Sequence, residues 1–445
     1  MKPLKLKRNL GLFELTLYGV GIILGAGIYA LIGVGAGIAG NALWLSFILA
    51  ALIASFTGLS YAELSSLFPR EAAEYVYTKK AFGKQSLSFI ISWVIIIGGV
   101  AAAATVSLGF GNYFSAIFGT SPILSAFLLI FFLSLINFYG IKESARFNIV
   151  ATIIEALGLL LVVAVGFIFF LSNGITIDFL ETPPETPGLM GIIGALALMF
   201  FAYLGFENTA NISEEAKNPR KVVPKALLLA LAISTVLYIL VSVSAVSVLG
   251  WEELSQSEAP LTEVIAEVIP GAGILMSFIA LFAMSNTVLI TLIVMSRILY
   301  GVSCQHSLPK CLSNIHKKRR TPYIAVFIVM LFASLPFMIS VFVSLVMHID
   351  PIHLLKNLGL FTDVGIFIAY MFVNLSLIAM RFKRPSAKRP FKVPMNIGRF
   401  PVIAFLGALS CFMMLSYFAY FKTFLVMLEI IVIFAGVAVY KFYNR

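Results

Sequence analysis

The sequence predicts an all-α, multi-pass membrane protein with twelve spanning helices, and three observations carry that reading. Of 445 residues, 60% are hydrophobic and only 11% are charged, far below the roughly 25% charged residues of an average soluble chain. Two long runs contain no ionised side chain: 48 residues between Glu14 and Glu63, and 57 between Lys84 and Lys142. At about 20 apolar residues per span, each run holds two spans and a turn. The basic residues, finally, are gathered in alternate loops. The apolar runs are continuous rather than alternating, which favours helices over a barrel.

Taken in order, the spans are expected near residues 12–39, 42–67, 86–117, 121–139, 147–171, 189–212, 223–249, 271–304, 322–346, 356–380, 399–420 and 423–441. All of 1–445 reads as a single transmembrane domain. With the N-terminus placed inside, 28 of the 31 Lys and Arg residues fall on the cytosolic side. The outer loops carry acids instead, as in IDFLETPPETP and WEELSQSEAPLTEVIAEV. This positive-inside asymmetry predicts a cell-membrane protein with both termini cytoplasmic. It also accounts for the net charge of +11 through contact with membrane lipids, with no nucleic acid needed. The basic start, MKPLKLKRNLG, leads into a segment too long for a signal-peptide core and lacks a small-residue cleavage site. Cys304, Cys311 and Cys411 suggest no disulfide framework.

Two spans carry an interruption. GIILGAGIYALIG, residues 21–33, holds four glycines, although each costs a helix interior about 1 kcal/mol relative to alanine. Unwound backbone is tolerated in hydrocarbon only where it lines a protein cavity. A break around Gly25, Ala26 and Gly27 would free peptide N–H groups suited to a carboxylate, and carbonyls suited to an ammonium group. The sixth span repeats the feature in FFAYLGFENTAN, with Gly205 followed by Glu207. The first and sixth spans open two successive five-span units, 12–171 and 189–380, with 399–441 as two accessory helices. Five is odd, so the second unit is inverted, and matching interruptions in inverted units point to a transporter's binding site. The competing reading is that the glycines simply allow close helix packing, a spacing met by Gly21 with Gly25 and by Gly33 with Gly37.

With these residues in view, the chain resembles the amino acid–polyamine–organocation superfamily of secondary transporters, in particular its amino acid permeases. The resemblance is carried by GIILGAGIYALIG, YAELSSLFPREAAEYVYTKKAFG, GIKESARFN, FFAYLGFENTANISEEAKNPRKVVPKAL and SRILYGVSCQHSLPKCLSNIHKKRRTP, spread over about residues 10–325. It implies the leucine-transporter-type fold, with a zwitterionic amino acid held between spans one and six. By position, the carboxylate would meet the N–H groups of Ala26, Gly27 and Ile28. The ammonium would meet the carbonyls of Ile23, Phe201 and Leu204, with Phe201 as an aromatic lid. Asn286 would help to line the pocket. Two departures stand out: Ala26 replaces a usual small polar residue, and Ala72–Ala73 replaces a usual glycine pair.

Acids inside the bilayer are costly and suggest function. Glu155, deep in span five, is assigned proton coupling; the alternative is a structural acid bonded to span one or eight, or to Arg297. In some proton-coupled relatives a lysine occupies what looks like this position. Glu207 is assigned proton coupling, gating or contact with a cationic side chain, against simple capping of the helix that follows. Glu14, Glu63 and Arg297 are expected in ion pairs near the cytosolic face. Asp363 is a lesser coupling candidate. Lys422 and Glu429 are expected at an interface. His306, His316, His348 and His353 lack ligand spacing, so no metal is expected. No nucleophile–base pair, phosphate loop or filter motif appears, which argues against an enzyme or a channel. The expected function is therefore alternating-access amino acid transport, by proton symport or exchange, with no cofactor beyond a coupling ion. Sodium coupling through Ser285 and Thr287, facilitative carriage, and a transporter-like sensor are the alternatives. The protein is expected as a monomer or homodimer.

Overall fold

The computed structural model describes residues 6–257, 259–347 and 358–443, excluding the side chains at positions 26, 30, 116, 197, 343–347 and 358–360. In chain order the helices are α1 (Leu12–Ala39), α2 (Leu43–Leu67), α3 (Ala73–Phe82), α4 (Gln85–Phe118), α5 (Pro122–Tyr139), α6 (Ile141–Asn173), α7 (Leu189–Ala202) and α8 (Asn208–Asn211). They continue as α9 (Pro219–Gln256), α10 (Pro260–Val268), α11 (Gly273–Cys304), α12 (Tyr323–Met347), α13 (Leu358–Lys383), α14 (Val402–Phe421) and α15 (Thr423–Tyr443). Among the described residues the only sheet is a two-stranded antiparallel hairpin, β1 (Asn396–Ile397) with β2 (Phe400–Pro401).

Eleven helical stretches among the described residues are long and apolar enough to cross a membrane, and Leu189–Ala202 adds a shorter apolar helix. Among the described residues, eleven of the expected spans each fall on one helix, and the sixth, 189–212, is divided between α7 and α8. The differences lie in the loops and at the ends. The short helices α3 and α10 were not anticipated, because ten and nine residues of mixed polarity lie below the length at which an apolar run stands out. α9 reaches Gln256, but Gly250 inside it is non-helical with φ +73°, so the straight span ends near the expected residue 249. His348, His353 and Lys356 lie outside the described residues.

The core is built around α1, which packs against α9, α7, α11 and α6. α11 is the best enclosed of the long helices, with 83% of its apolar window buried, against 17% for α15. Large apolar side chains exposed along α5, α6, α14 and α15, such as Phe132, Leu157, Phe412 and Ile431, form the surface that hydrocarbon covers.

Buried charge appears where loops meet helices. Glu63 on α2 accepts from Arg381 Nη2 at 2.6 Å, Arg389 Nε at 2.9 Å and the Val393 N–H at 2.8 Å. It thereby ties α2 to α13 and to the segment before β1. Arg297 on α11 is fully buried and meets Glu215 at 3.3 Å and Asn137 Oδ1 at 2.8 Å. The expected ion pairs of Glu63 and Arg297 are present. Glu14 differs, because its carboxylate accepts the Gly11 N–H at 2.9 Å and so stabilises the start of α1. Glu429 is 2% exposed and its carboxylate lies 3.4 Å from where a Cβ on Gly365 would stand. It faces α13 inside the protein rather than an outer surface, because Gly365 leaves room for it.

Candidate substrate cavity

Both expected interruptions exist. In α1 the ladder breaks at Gly25, with φ −37° and ψ −141°. Between α7 and α8 the chain runs through turns over residues 203–207, with Gly205 at φ +112°. The two breaks touch. A Cβ on Gly205 would stand 2.8 Å from Ile22 Cγ1, and one on Gly27 would stand 2.9 Å from the Ala202 Cα. Neither glycine can gain a side chain without pushing the two segments apart.

Between the breaks lies a cavity of about 100 Å³. Of the residues singled out from sequence, Ile23, Gly27, Phe201, Leu204, Gly205 and Glu207 line it. Gly25, Ile28 and Asn286 are not among its lining residues, and the side chain of Ala26 is outside the described set. Asn286 turns toward α6 instead. Its Oδ1 accepts from Asn148 at 2.9 Å, and its Nδ2 donates to Thr152 Oγ1 at 2.9 Å. The next residue, Thr287, faces the cavity, and its hydroxyl is buried without a hydrogen-bond partner among the described residues. Ser285, the other hydroxyl considered for a cation, donates to the Leu281 carbonyl of its own helix at 2.7 Å.

The freed carbonyls are not bare. Tyr238 on α9 donates its hydroxyl to the Ile23 carbonyl and reaches the Ala202 carbonyl at 2.9 Å. The Phe201 carbonyl accepts the Leu204 N–H at 3.0 Å. Glu207 accepts the Gly205 N–H at 2.9 Å and the hydroxyl of Tyr370 on α13. One carboxylate therefore satisfies the turn and joins it to another span. Below it the Tyr370 ring meets the edge of Tyr61, with centroids 5.8 Å apart. The Tyr61 hydroxyl donates to Glu74 on α3 at 2.8 Å, and Asn211 donates to the same oxygen at 2.9 Å. Burial pushes the Glu74 carboxyl above the ordinary carboxylate range, against the opposing pull of those hydrogen bonds. Aromatic rings and a buried polar chain thus close the cavity toward the end that carries the basic loops.

Glu155 sits one layer away. It is fully buried on α6 and does not line the cavity. Its carboxylate lies by the side-chain amide of Asn286 on α11, forms no ion pair among the described residues, and its backbone carbonyl accepts from Tyr29 on α1 at 3.3 Å. Asn148 and Thr152 occupy the same face of α6 at helical spacing and meet α11 and the Leu17 carbonyl of α1. Asp363 is also buried with one unpartnered oxygen. Among the described residues, no group of three or more His, Cys, Asp or Glu side chains could hold a metal ion.

Comparison with known proteins agrees with this architecture. The family model described as amino acid permease matches residues 10–436. The branched-chain amino acid permease BcaP of Bacillus subtilis is 31% identical, over 99% of this chain and 94% of its own length. The methylthioribose transporter of the same organism is 30% identical, over 100% of this chain and 95% of its own. Mouse cationic amino acid transporter 4 is 27% identical over 87% of this chain, which corresponds to 63% of that longer protein.

Proposed function

The chain belongs to the amino acid permease family, and from that premise we propose that it moves amino acids across the cell membrane by alternating access, with proton symport or exchange as the driving step. Its relatives are transporters, and the family assignment makes this protein a membrane transporter rather than an enzyme. The observation that carries the finer reading is the meeting of two interrupted helices at one cavity, since broken backbone at membrane depth is tolerated only where it is buried in protein or lines a water-filled cavity. The N–H groups after the α1 break would take the substrate carboxylate. The carbonyls of Ile23, Phe201 and Leu204 would take the ammonium group. The basic loops support cytoplasmic termini.

The substrate side chain would be apolar. Ile22, Ile95, Val106, Met295 and Ile366 line the cavity, and a pocket of that composition rejects a charged group it cannot pair. Glu207 lines the same cavity, but Gly205 and Tyr370 both engage its Oε2, which leaves Oε1 alone to meet a cationic side chain. Glu155 would exchange the coupling proton, a role supported by its full burial with Asn286 beside it and no ion-pair partner among the described residues.

Proteoliposome uptake of labelled amino acids, with and without a pH gradient, tests the whole reading. Saturable, gradient-driven accumulation of apolar amino acids is expected. The variant Glu155→Gln should lose accumulation while retaining substrate-induced thermal stabilisation, because a ligand selective for the folded protein raises its melting temperature. Undiminished gradient-driven uptake in that variant would remove Glu155 from the coupling step. Binding without any flux in the parent protein would point to a sensor.

A further inference from the structure

A second and larger cavity, of about 1620 Å³, opens at the end of the molecule that carries the basic loops. Three separate segments contribute cations to its wall: Arg8 from the chain before α1, Arg70, Lys79 and Lys80 from the loop after α2 and from α3, and Arg220 and Lys221 from the start of α9. The segments are held in place by backbone. The Asn9 N–H donates to the Glu215 carbonyl at 2.9 Å, and the Lys217 N–H to the Leu10 carbonyl at 2.7 Å. This bridge fixes the chain before α1 beside the connection leading to α9.

The charges facing this space are unbalanced. Two carboxylates line it, Glu71 and Glu214. Glu214 is engaged by Arg70 at 3.3 Å, the only ion pair that any of the six cations makes among the described residues. Glu71 is 2% exposed, and one of its oxygens accepts the Glu214 N–H at 3.1 Å. Lys79 lies over the Tyr75 ring, 5.3 Å from its centroid. Its ammonium is pushed below its ordinary range by desolvation and then by neighbouring Lys80. Like charges collected around a concavity repel one another and focus a positive potential into it. A cytosolic loop needs its cations only on the correct side of the membrane; it does not need them to converge from three segments on one hollow.

We propose that this hollow binds a phosphate-bearing anion, from an anionic lipid headgroup or a soluble polyphosphate, which cross-links the chain before α1 and the start of α9 to α3. Multiply charged phosphate oxygens suit this mixture of guanidinium and ammonium groups. An anion bridging these segments would hold together the parts that surround the closed end of the substrate cavity.

Cys304 lines the same hollow and is exposed, whereas Cys411 is buried. In a Cys311→Ser background, the rate at which a maleimide labels Cys304 therefore reports occupancy. The protein is placed in nanodiscs of phosphatidylcholine alone, and inorganic tripolyphosphate is added at matched ionic strength. Saturable, several-fold slowing of labelling is expected. The protection should disappear in Lys79→Gln/Lys80→Gln and in Arg220→Gln/Lys221→Gln, and survive in Lys317→Gln/Lys318→Gln, whose exposed lysines lie outside the hollow. A second arm omits tripolyphosphate and adds phosphatidylglycerol to the disc; slowing in that arm alone assigns the site to a lipid headgroup. Unchanged labelling in both arms overturns the proposal, as does equal loss of protection in the Lys317/Lys318 variant.

Discussion

Gly25 and Gly205 both interrupt helices at the substrate cavity, yet different constraints hold them there. Gly25 keeps a negative φ, and the helix resumes at once. What excludes a side chain is a neighbour, because a Cβ would fall on the hydroxyl of Thr287. Gly205 has φ +112° within a five-residue gap in the ladder. There the backbone itself disfavours an L side chain, and Ile22 stands close as well. At the first break a packed neighbour excludes a side chain; at the second a positive φ does so as well. A glycine in an apolar run can mean either, which is why the packing and unwinding readings of the sequence were both partly right.

The largest expected effect follows from the second kind. Gly205→Ala should incur about 1–3 kcal/mol of backbone strain together with the clash against Ile22, lowering the melting temperature and cutting substrate uptake by roughly tenfold or more. No substitution of a neighbour should restore it fully. Gly25→Ala should also impair uptake, but adding Thr287→Ala should recover part of the loss, since the obstacle is a removable hydroxyl. If the two glycines respond alike to relief of their neighbours, the distinction fails.

A smaller effect is expected at the polar support of the second break. Tyr370→Phe removes one hydrogen bond to Glu207 and should cost about 0.5–1.5 kcal/mol of stability by thermal denaturation. The same change should weaken closure on the basic-loop side, visible as faster substrate release. The smallest effect concerns pH. Burial, then the nearby Glu215 and Glu214, hold the Glu71 carboxyl above its ordinary range, with Arg297 opposing. The folded state therefore binds this proton more tightly than the unfolded state does. Its contribution is fully present below the ordinary carboxylate pKa and is lost as pH rises through the raised value. Thermal scans from about pH 5 to about pH 8 should show stability falling, and Glu71→Gln should flatten that fall without removing the contributions of other buried acids.

Much of the fold was legible because a membrane imposes simple rules on a chain. The gaps between charges located the helices, and the placement of Lys and Arg ordered the loops. The cavity was legible only along the two helices that break. Tyr61, Tyr238, Thr287 and Tyr370 reach it or its supports from four other helices, and in an apolar run a tyrosine that faces a cavity looks like one that faces a neighbour. Asn286 and Thr287 show how fine the margin is. Successive residues on a helix point roughly 100° apart, so the same polar pair divides its duties, one residue bonding α6 and the other facing the cavity. Glu155 was visible as a charge in the wrong place, but its distance from the cavity wall required coordinates.

Tyr238 stands between the two breaks as a shared hydrogen-bond donor. Its hydroxyl sits within reach of the carbonyl oxygens of Ile23 and Ala202, one on each broken helix, but a phenol owns a single hydrogen to give. At any instant one of those oxygens must go without. The hydrogen can pass from one broken helix to the other by rotation about the Cζ–Oη bond, so a single phenol serves both breaks in turn.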